Sequence, residues 1–379
     1  MNICYIYNGH PLVLPPGGIG NRMRRLSLKL TEQGHKVTFI GCNEGLYRKR
    51  IIYDDKVKII SLPYIKIPKF HRYFNRYYLS KYIELNQKYF NFELIEMPEY
   101  LGWFLPKINN AKKIIRFSSS NGKITNETHK DWWVPFLNET LKNADYFCSV
   151  SKFISSAAKD THQKLNGKKI SVLYSGVNTK IFHPELNQKN GKIKILFFGN
   201  VNVNKGVFEL VEAWNMLNEN EKNIQLIICG NDSFDIIKKQ STQDLLVQKL
   251  NPDIRHTVKF MVINHDAELA KLIQKSSFVV FPSHSEGFSN ALLEAMACQK
   301  AVIFSRLGVS KEIIKDGENG LLCKPLCSKD LFQKMRLLIR NVNLRDNLAD
   351  EALKTIRNNY TGKHFYKRNL DFYNYCISK

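Results

Sequence analysis

The stretch FPSHSEGFSNALLEAMACQKAVIF, residues 281–304, decides how this chain is read. An apolar run over Phe278–Phe281 has the length of a buried strand, and Pro282 stops it. A turn carrying Glu286 and Gly287 follows. Ser289 then stands where a helix N-cap belongs, ahead of helical spacing that holds Asn290, Glu294 and Met296. A helix that opens at the carboxyl end of a strand aims free N–H groups outward. That is the setting for a phosphate, and Gly287 lets backbone approach one closely. Glu286 and Glu294, with seven residues between them, can face one bound molecule. Carboxylates accept hydrogen bonds from vicinal hydroxyls, which a sugar or a ribose offers. Taken plainly, the two would be a cap and a surface acid.

Outward from this stretch, short β-branched and aromatic runs alternate with helical patterns. Strands are expected at Asn2–Tyr7, Lys36–Gly41, Phe92–Met97, Lys112–Phe117, Asp145–Val150 and Ile170–Tyr174, then at Lys192–Gly199, Ile224–Cys229, Val258–Val262, Phe278–Phe281, Ala301–Phe304 and Leu321–Cys323. Helices are expected between them, among them Asn21–Glu32, Phe208–Asn218, Ala267–Gln274 and Ala291–Ala297. Such alternation predicts an α/β fold of parallel sheets covered on both faces, with binding outside the carboxyl ends of the strands. The alternation pauses in the polar segment between Tyr174 and Lys192, where Gly176, Pro184 and Gly191 are breakers, so a domain boundary is placed there. The domains expected are 1–182, 183–359 and a terminal helix, 360–379. Its Phe365, Tyr366, Phe372 and Tyr373 must dock on something, most simply the first domain.

A chain of 379 residues with 44% hydrophobic and 24% charged residues has a globular composition. The start MNICYIYNGH lacks a basic region before its apolar stretch, and no apolar run approaches the roughly 20 residues that span a bilayer. A cytoplasmic chain follows as an expectation, and eight scattered cysteines fit buried reduced thiols. Cys323 and Cys327 lie close together, but no second pair or nearby histidine completes a zinc set. The net charge of +23 attracts polyanions: nucleic acid, an anionic membrane surface or phosphorylated substrates.

Residues 281–304 resemble the E-x7-E signature of glycosyltransferase family four, retaining enzymes of the GT-B fold with two Rossmann-like domains. Other segments resemble that family in the expected order: Gly17–Gly41, Phe92–Tyr100, Asn143–Ser151, Tyr174–Pro184, Ile195–Trp214 and Leu307–Pro325. The resemblance implies that a first domain on the acceptor side faces a second that binds a nucleotide sugar, UDP- or GDP-linked, across a cleft. It implies that Glu294 holds the ribose and Glu286 the transferred sugar. Backbone around Gly287, Phe288, Ser289 and Asn290 would cradle the diphosphate, and Lys205 would balance charge on the leaving group. Gly17, Gly18 and Gly20 would bring a first-domain loop to the donor, and Met261 and Val262 would lie against the base. Where the family usually has an arginine after the glycine of the second domain's first strand, Asn200 stands, and Arg306 or Arg22 are candidates to replace it. Where it often has a histidine, Ser118 or Ser119 stands.

The mechanism implied is leaving-group stabilisation by Lys205 and helix amides, with front-face attack and retained configuration. No D-x-D occurs, so no metal or other cofactor is expected. The acceptor would be a glycan or lipid-linked glycan in cell-surface polysaccharide synthesis. Two other functions compete: a degenerate protein that binds sugar nucleotide without turnover, and a basic nucleic-acid binder, for which no module is evident.

Between Lys56 and Ile83 stand seven Lys or Arg and no acid. Within it, Lys66–Tyr82 interleaves bases with Phe70, Tyr73, Phe74, Tyr77, Tyr78 and Tyr82. This stretch could seat the chain peripherally on anionic lipid, grip an acidic or phosphorylated acceptor, or bury its aromatics and leave its bases in water.

Overall fold

Strands buried on both faces must lie parallel between helical layers, because a right-handed crossover returns each strand to the same direction. The computed structural model builds this arrangement twice. It describes residues 1–7, 10, 12–13, 18–68, 70–99, 105–118, 140–185, 191–218, 223–235 and 239–379. The chain forms two units, Met1–Ser175 with Phe365–Lys379, and Gly176–His364. These changeovers lie a few residues from 182 and 359.

In the first unit the strands are β1 (Asn2–Ile6), β2 (Lys36–Asn43), β3 (Arg50–Asp54), β4 (Val57–Pro63), β5 (Leu94–Pro98), β6 (Lys112–Phe117), β7 (Tyr146–Ser149) and β8 (Ile170–Val172). Their order is β3-β4-β2-β1-β5-β6-β7-β8. Among the described residues of this sheet, only β3 and β4 pair antiparallel. This hairpin is absent from the sequence-based strand set. Its turn, with Asp55 at a φ of 54°, has no glycine to announce it. The first helix spans Gly18–Glu32, three residues earlier than the expected Asn21, because the apolar stripe of Met23, Leu26 and Leu30 extends back to Ile19.

The terminal helix Gly362–Ser378 sends Phe365, Phe372, Tyr373 and Cys376 into the first unit's core beside Ile3, Tyr5 and Phe39. A buried polar cluster fixes it. Arg116 meets Glu96 through two hydrogen bonds of 2.6 and 3.0 Å, and its Nη2 also donates to Asn369 Oδ1 at 2.7 Å. Tyr373 hydroxyl donates to Glu96 at 2.8 Å.

The second unit has β9 (Ile193–Phe198), β10 (Ile224–Cys229), a small antiparallel pair β11 (Phe234–Asp235) and β12 (Gln240–Ser241), β13 (Val258–Met261), β14 (Phe278–Phe281), β15 (Ala301–Ser305) and β16 (Leu321–Cys323). Six of these strands form a parallel sheet, β13-β10-β9-β14-β15-β16. Its core includes Phe197, Trp214, Phe278 and Ile303, all at most 1% exposed. The expected α/β class with two parallel-sheet domains is the observed one. Strand order reverses direction between β9 and β14, and crevices at such switch points are where α/β sheets bind ligands. None of the eight cysteines forms a disulfide. Among the described residues no helix is long and apolar enough to cross a membrane.

Candidate functional site

The loops that leave β9 and β14 at this switch point hold the candidate site. After β9, Gly199 takes a φ of 137°, which glycine tolerates and other residues resist. Asn202 then caps the single turn Val203–Lys205, its side chain accepting the Lys205 N–H at 3.2 Å. Gly206 ends that turn at a φ of 69°, and a Cβ there would stand 1.9 Å from the Pro282 carbonyl oxygen. Glycine therefore lets the two loops touch. His284 N–H donates to the Asn204 carbonyl at 2.8 Å, and the His284 ring meets Glu209 Oε2 at 3.0 Å. Burial pushes the Glu209 carboxyl up, but hydrogen bonds from His284 and backbone outweigh it and hold the group below its ordinary value.

This stitching puts Lys205 Nζ 2.5 Å from Glu286 Oε1. Ser283 hydroxyl donates to the same oxygen at 3.1 Å. Glu286 is 12% exposed and Lys205 32%, so the pair is sheltered from water but open to a ligand. An incoming anion can take the ammonium while the carboxylate turns to hydroxyl donors.

Beyond Gly287, Ser289 caps the helix Asn290–Ala297, its Oγ accepting the Leu292 N–H at 3.2 Å. Leu292, Leu293, Ala295, Met296 and Ala297 anchor the helix in the core. Asn290 and Glu294 are half-buried, one turn apart on the same side. Phe288 lies 6.1 Å, centroid to centroid, from the Tyr360 ring. At the far edge of the sheet the Met261 carbonyl accepts the Gly230 N–H at 2.9 Å, and Val262 is 55% exposed. Asn200 is exposed after Gly199. Arg306, a candidate to stand in for the missing arginine, follows β15 and pairs with Asp316 at 2.5 Å.

In the first unit Gly17 and Ser119 lie outside the described residues. Gly18 and Gly20 are in the first turn of the helix Gly18–Glu32 rather than in a loop before it. The same helix brings two other candidates together: Arg22 Nη2 donates to Ser118 Oγ at 3.1 Å. Ser118 N–H is held by both Glu99 oxygens at 3.1 Å. Burial, and then Arg116, pull the Arg22 guanidinium down to about 10, so it stays charged at neutral pH. Gly206, Ser283, the His284–Glu209 contact and Glu99 escape sequence reasoning. Ser283 and His284 sit inside the deciding stretch, but Glu209 is 75 residues from His284 and no local spacing joins them.

Family models describe both halves of the chain. Residues 16–181 match Glycosyltransferase Family 4, and residues 178–355 match Glycosyl transferases group 1. The chain belongs to glycosyltransferase family four. Among relatives of this family, an uncharacterised glycosyltransferase of Methanocaldococcus jannaschii is 33% identical over 57% of this chain and 56% of its own length. The N,N'-diacetylbacillosaminyl-diphospho-undecaprenol alpha-1,3-N-acetylgalactosaminyltransferase of Campylobacter jejuni is 30% identical over 57% of this chain and 58% of its own. The chain thus spans little more than half the length of each. Anabaena HepE, solved in complex with UDP and glucose, superposes over 98% of this chain and 99% of its own with a TM-score of 0.78 at 15% identity, which shows the shared GT-B fold.

Proposed function

We propose that the chain transfers a sugar from a nucleoside diphosphate donor, UDP- or GDP-linked, to a glycan or lipid-linked acceptor with retained anomeric configuration. One observation carries this: Lys205 and Glu286 meet at the switch point of a parallel sheet, directly before a capped helix. The diphosphate would lie against the Gly287–Asn290 backbone with Lys205 beside it. Release of Lys205 from Glu286 frees that carboxylate for the sugar's hydroxyls, while Glu294 takes the ribose. As the sugar–phosphate bond breaks, charge grows on the leaving oxygen where the ammonium and amides already point. No step is assigned to a metal, so chelation by EDTA should leave the rate unchanged. The base would lie by Met261, the last residue of β13, and Val262 just after it, three strand spacings from β14, about 14 Å at ~4.8 Å each.

The Campylobacter relative's diphospho-undecaprenol acceptor and the UDP and glucose of the Anabaena protein support this donor and acceptor class. Work on such an acceptor from the cytoplasmic side, in cell-surface polysaccharide synthesis, is part of the proposal; nucleic acid is not. A second reading, donor binding without turnover, is favoured by Asn200 and by Arg306 being held by Asp316. Donor turnover followed by NMR separates the two. The wild type should release sugar with retained configuration, and Glu286→Gln should lose about 100-fold or more in rate. An inverted product, or full rate in the variant, contradicts the proposal. Binding without any turnover selects the second reading.

A further inference from the structure

The helix His71–Phe90 is 20 residues long, about 30 Å at ~1.5 Å per residue. One side packs into the first unit through Asn75, Leu79, Ser80 and Ile83, and the Asn75 amide clamps Ile65 backbone N–H and C=O at 2.8 Å each. That side accounts for few of its large side chains. Phe74, Tyr77, Leu85 and Tyr89 are 40, 45, 75 and 74% exposed, and Phe70, just before the helix, is 56% exposed. Phe74, Tyr77, Lys81, Leu85 and Lys88 recur at three- and four-residue steps and so share one face. Lysine heads lie against these rings: Lys81 is 5.8 Å from the Tyr77 centroid and Lys88 is 4.9 Å from that of Tyr89. The helix's one acid, Glu84, is 15% exposed, paired with Lys81 and accepting the Lys107 N–H at 2.7 Å.

Scattered exposed apolar residues are ordinary, but a row of them along one helix marks a surface that binds something. Aromatics interleaved with cations match the headgroup zone of a bilayer, where a ring sits at the boundary and an ammonium meets lipid phosphate. Leu85 and the 40% exposed Ile65 have no use for a glycan or a nucleic acid strand, but they do for acyl chains. We propose that this face seats the first unit on a bilayer of anionic phospholipid, with Phe70, Phe74, Tyr77, Leu85 and Tyr89 entering the interface and lysines bound to headgroups. The surface extends beyond Tyr82, to Tyr89. It also excludes full burial of the aromatics between Lys66 and Tyr82.

Co-sedimentation of the whole chain with vesicles tests this. One set is phosphatidylcholine alone and the other is mixed with phosphatidylglycerol. The wild type should pellet with the anionic vesicles, less so as salt rises. A Phe74→Ser, Leu85→Ser, Tyr89→Ser variant, altered only at exposed positions, should bind at least about tenfold more weakly with its circular dichroism unchanged. Lys88→Glu should weaken anionic binding without that apolar loss. Equal binding of wild type to both vesicles, or of wild type and triple variant to the anionic ones, overturns the proposal. So does wild-type preference for a soluble acidic glycan or for DNA. Nucleoside diphosphate binding should be the same in all three proteins, so failure of the sugar-transfer proposal leaves this result standing.

Discussion

At the scale of single residues, charge is held in place by neighbours that sequence spacing does not reveal. Lys205 and Glu286 are 81 residues apart, and each was legible only through the motif around it. Their contact depends on Asn202, Gly206 and Ser283, which have no local pattern. Arg22 and Ser118 were separate candidates in sequence, yet one hydrogen bond joins them across 96 residues. His10 gives a residue-scale prediction. It is 1% exposed, with Nε2 3.6 Å from Asp54 Oδ2. Burial lowers its imidazole to about 4, against a smaller upward pull from Asp54. The folded value lies below the unfolded ~6.5, so the unfolded chain binds more protons in between and stability falls as pH drops from about 6.5 to about 4. The contribution is on the order of 3 kcal/mol across that window. His10→Gln should flatten the slope of unfolding free energy against pH there, measured by urea denaturation. Parallel slopes in the two proteins would refute the assignment.

Among elements, strand and helix order was readable because each long apolar run is bounded by a breaker. Lys112–Phe117, Ile224–Cys229, Phe278–Phe281 and Leu321–Cys323 have the expected bounds. The β3–β4 hairpin was not readable, since the basic stretch after Asp55 obscures the strand Val57–Pro63. Helix starts also slipped, because glycines at 18 and 20 read as a loop although helical dihedrals are open to them. The contact between the β9 and β14 loops makes a prediction of its own. Gly206→Ala puts a methyl into the Pro282 carbonyl and a side chain at a left-handed φ, so it should cost more than the ~1 kcal/mol that strain alone costs. Thermal unfolding should show the loss, together with weaker donor binding, because Lys205 moves from Glu286. Unchanged stability would mean that the loops do not need this close approach.

For the whole molecule, the sequence signalled two parallel-sheet units and a terminal helix that must dock, through aromatics at helical spacing. It did not signal that Arg116, Glu96, Asn369 and Tyr373 would form one buried polar cluster, because such partners come from segments up to 277 residues apart. A buried Arg116–Glu96 pair needs further hydrogen-bond partners, and the terminal helix supplies Asn369 and Tyr373, which ties the end of the chain to the first sheet. The proposed donor site lies in the second unit, and its most direct test is calorimetric titration of UDP-, GDP- and ADP-sugars into the wild type and into Glu294→Ala and Lys205→Ala. One donor should bind the wild type and bind each variant at least about tenfold more weakly, with folding unchanged. Equal affinity in all three proteins, or no binding by any of the donors, would contradict the account.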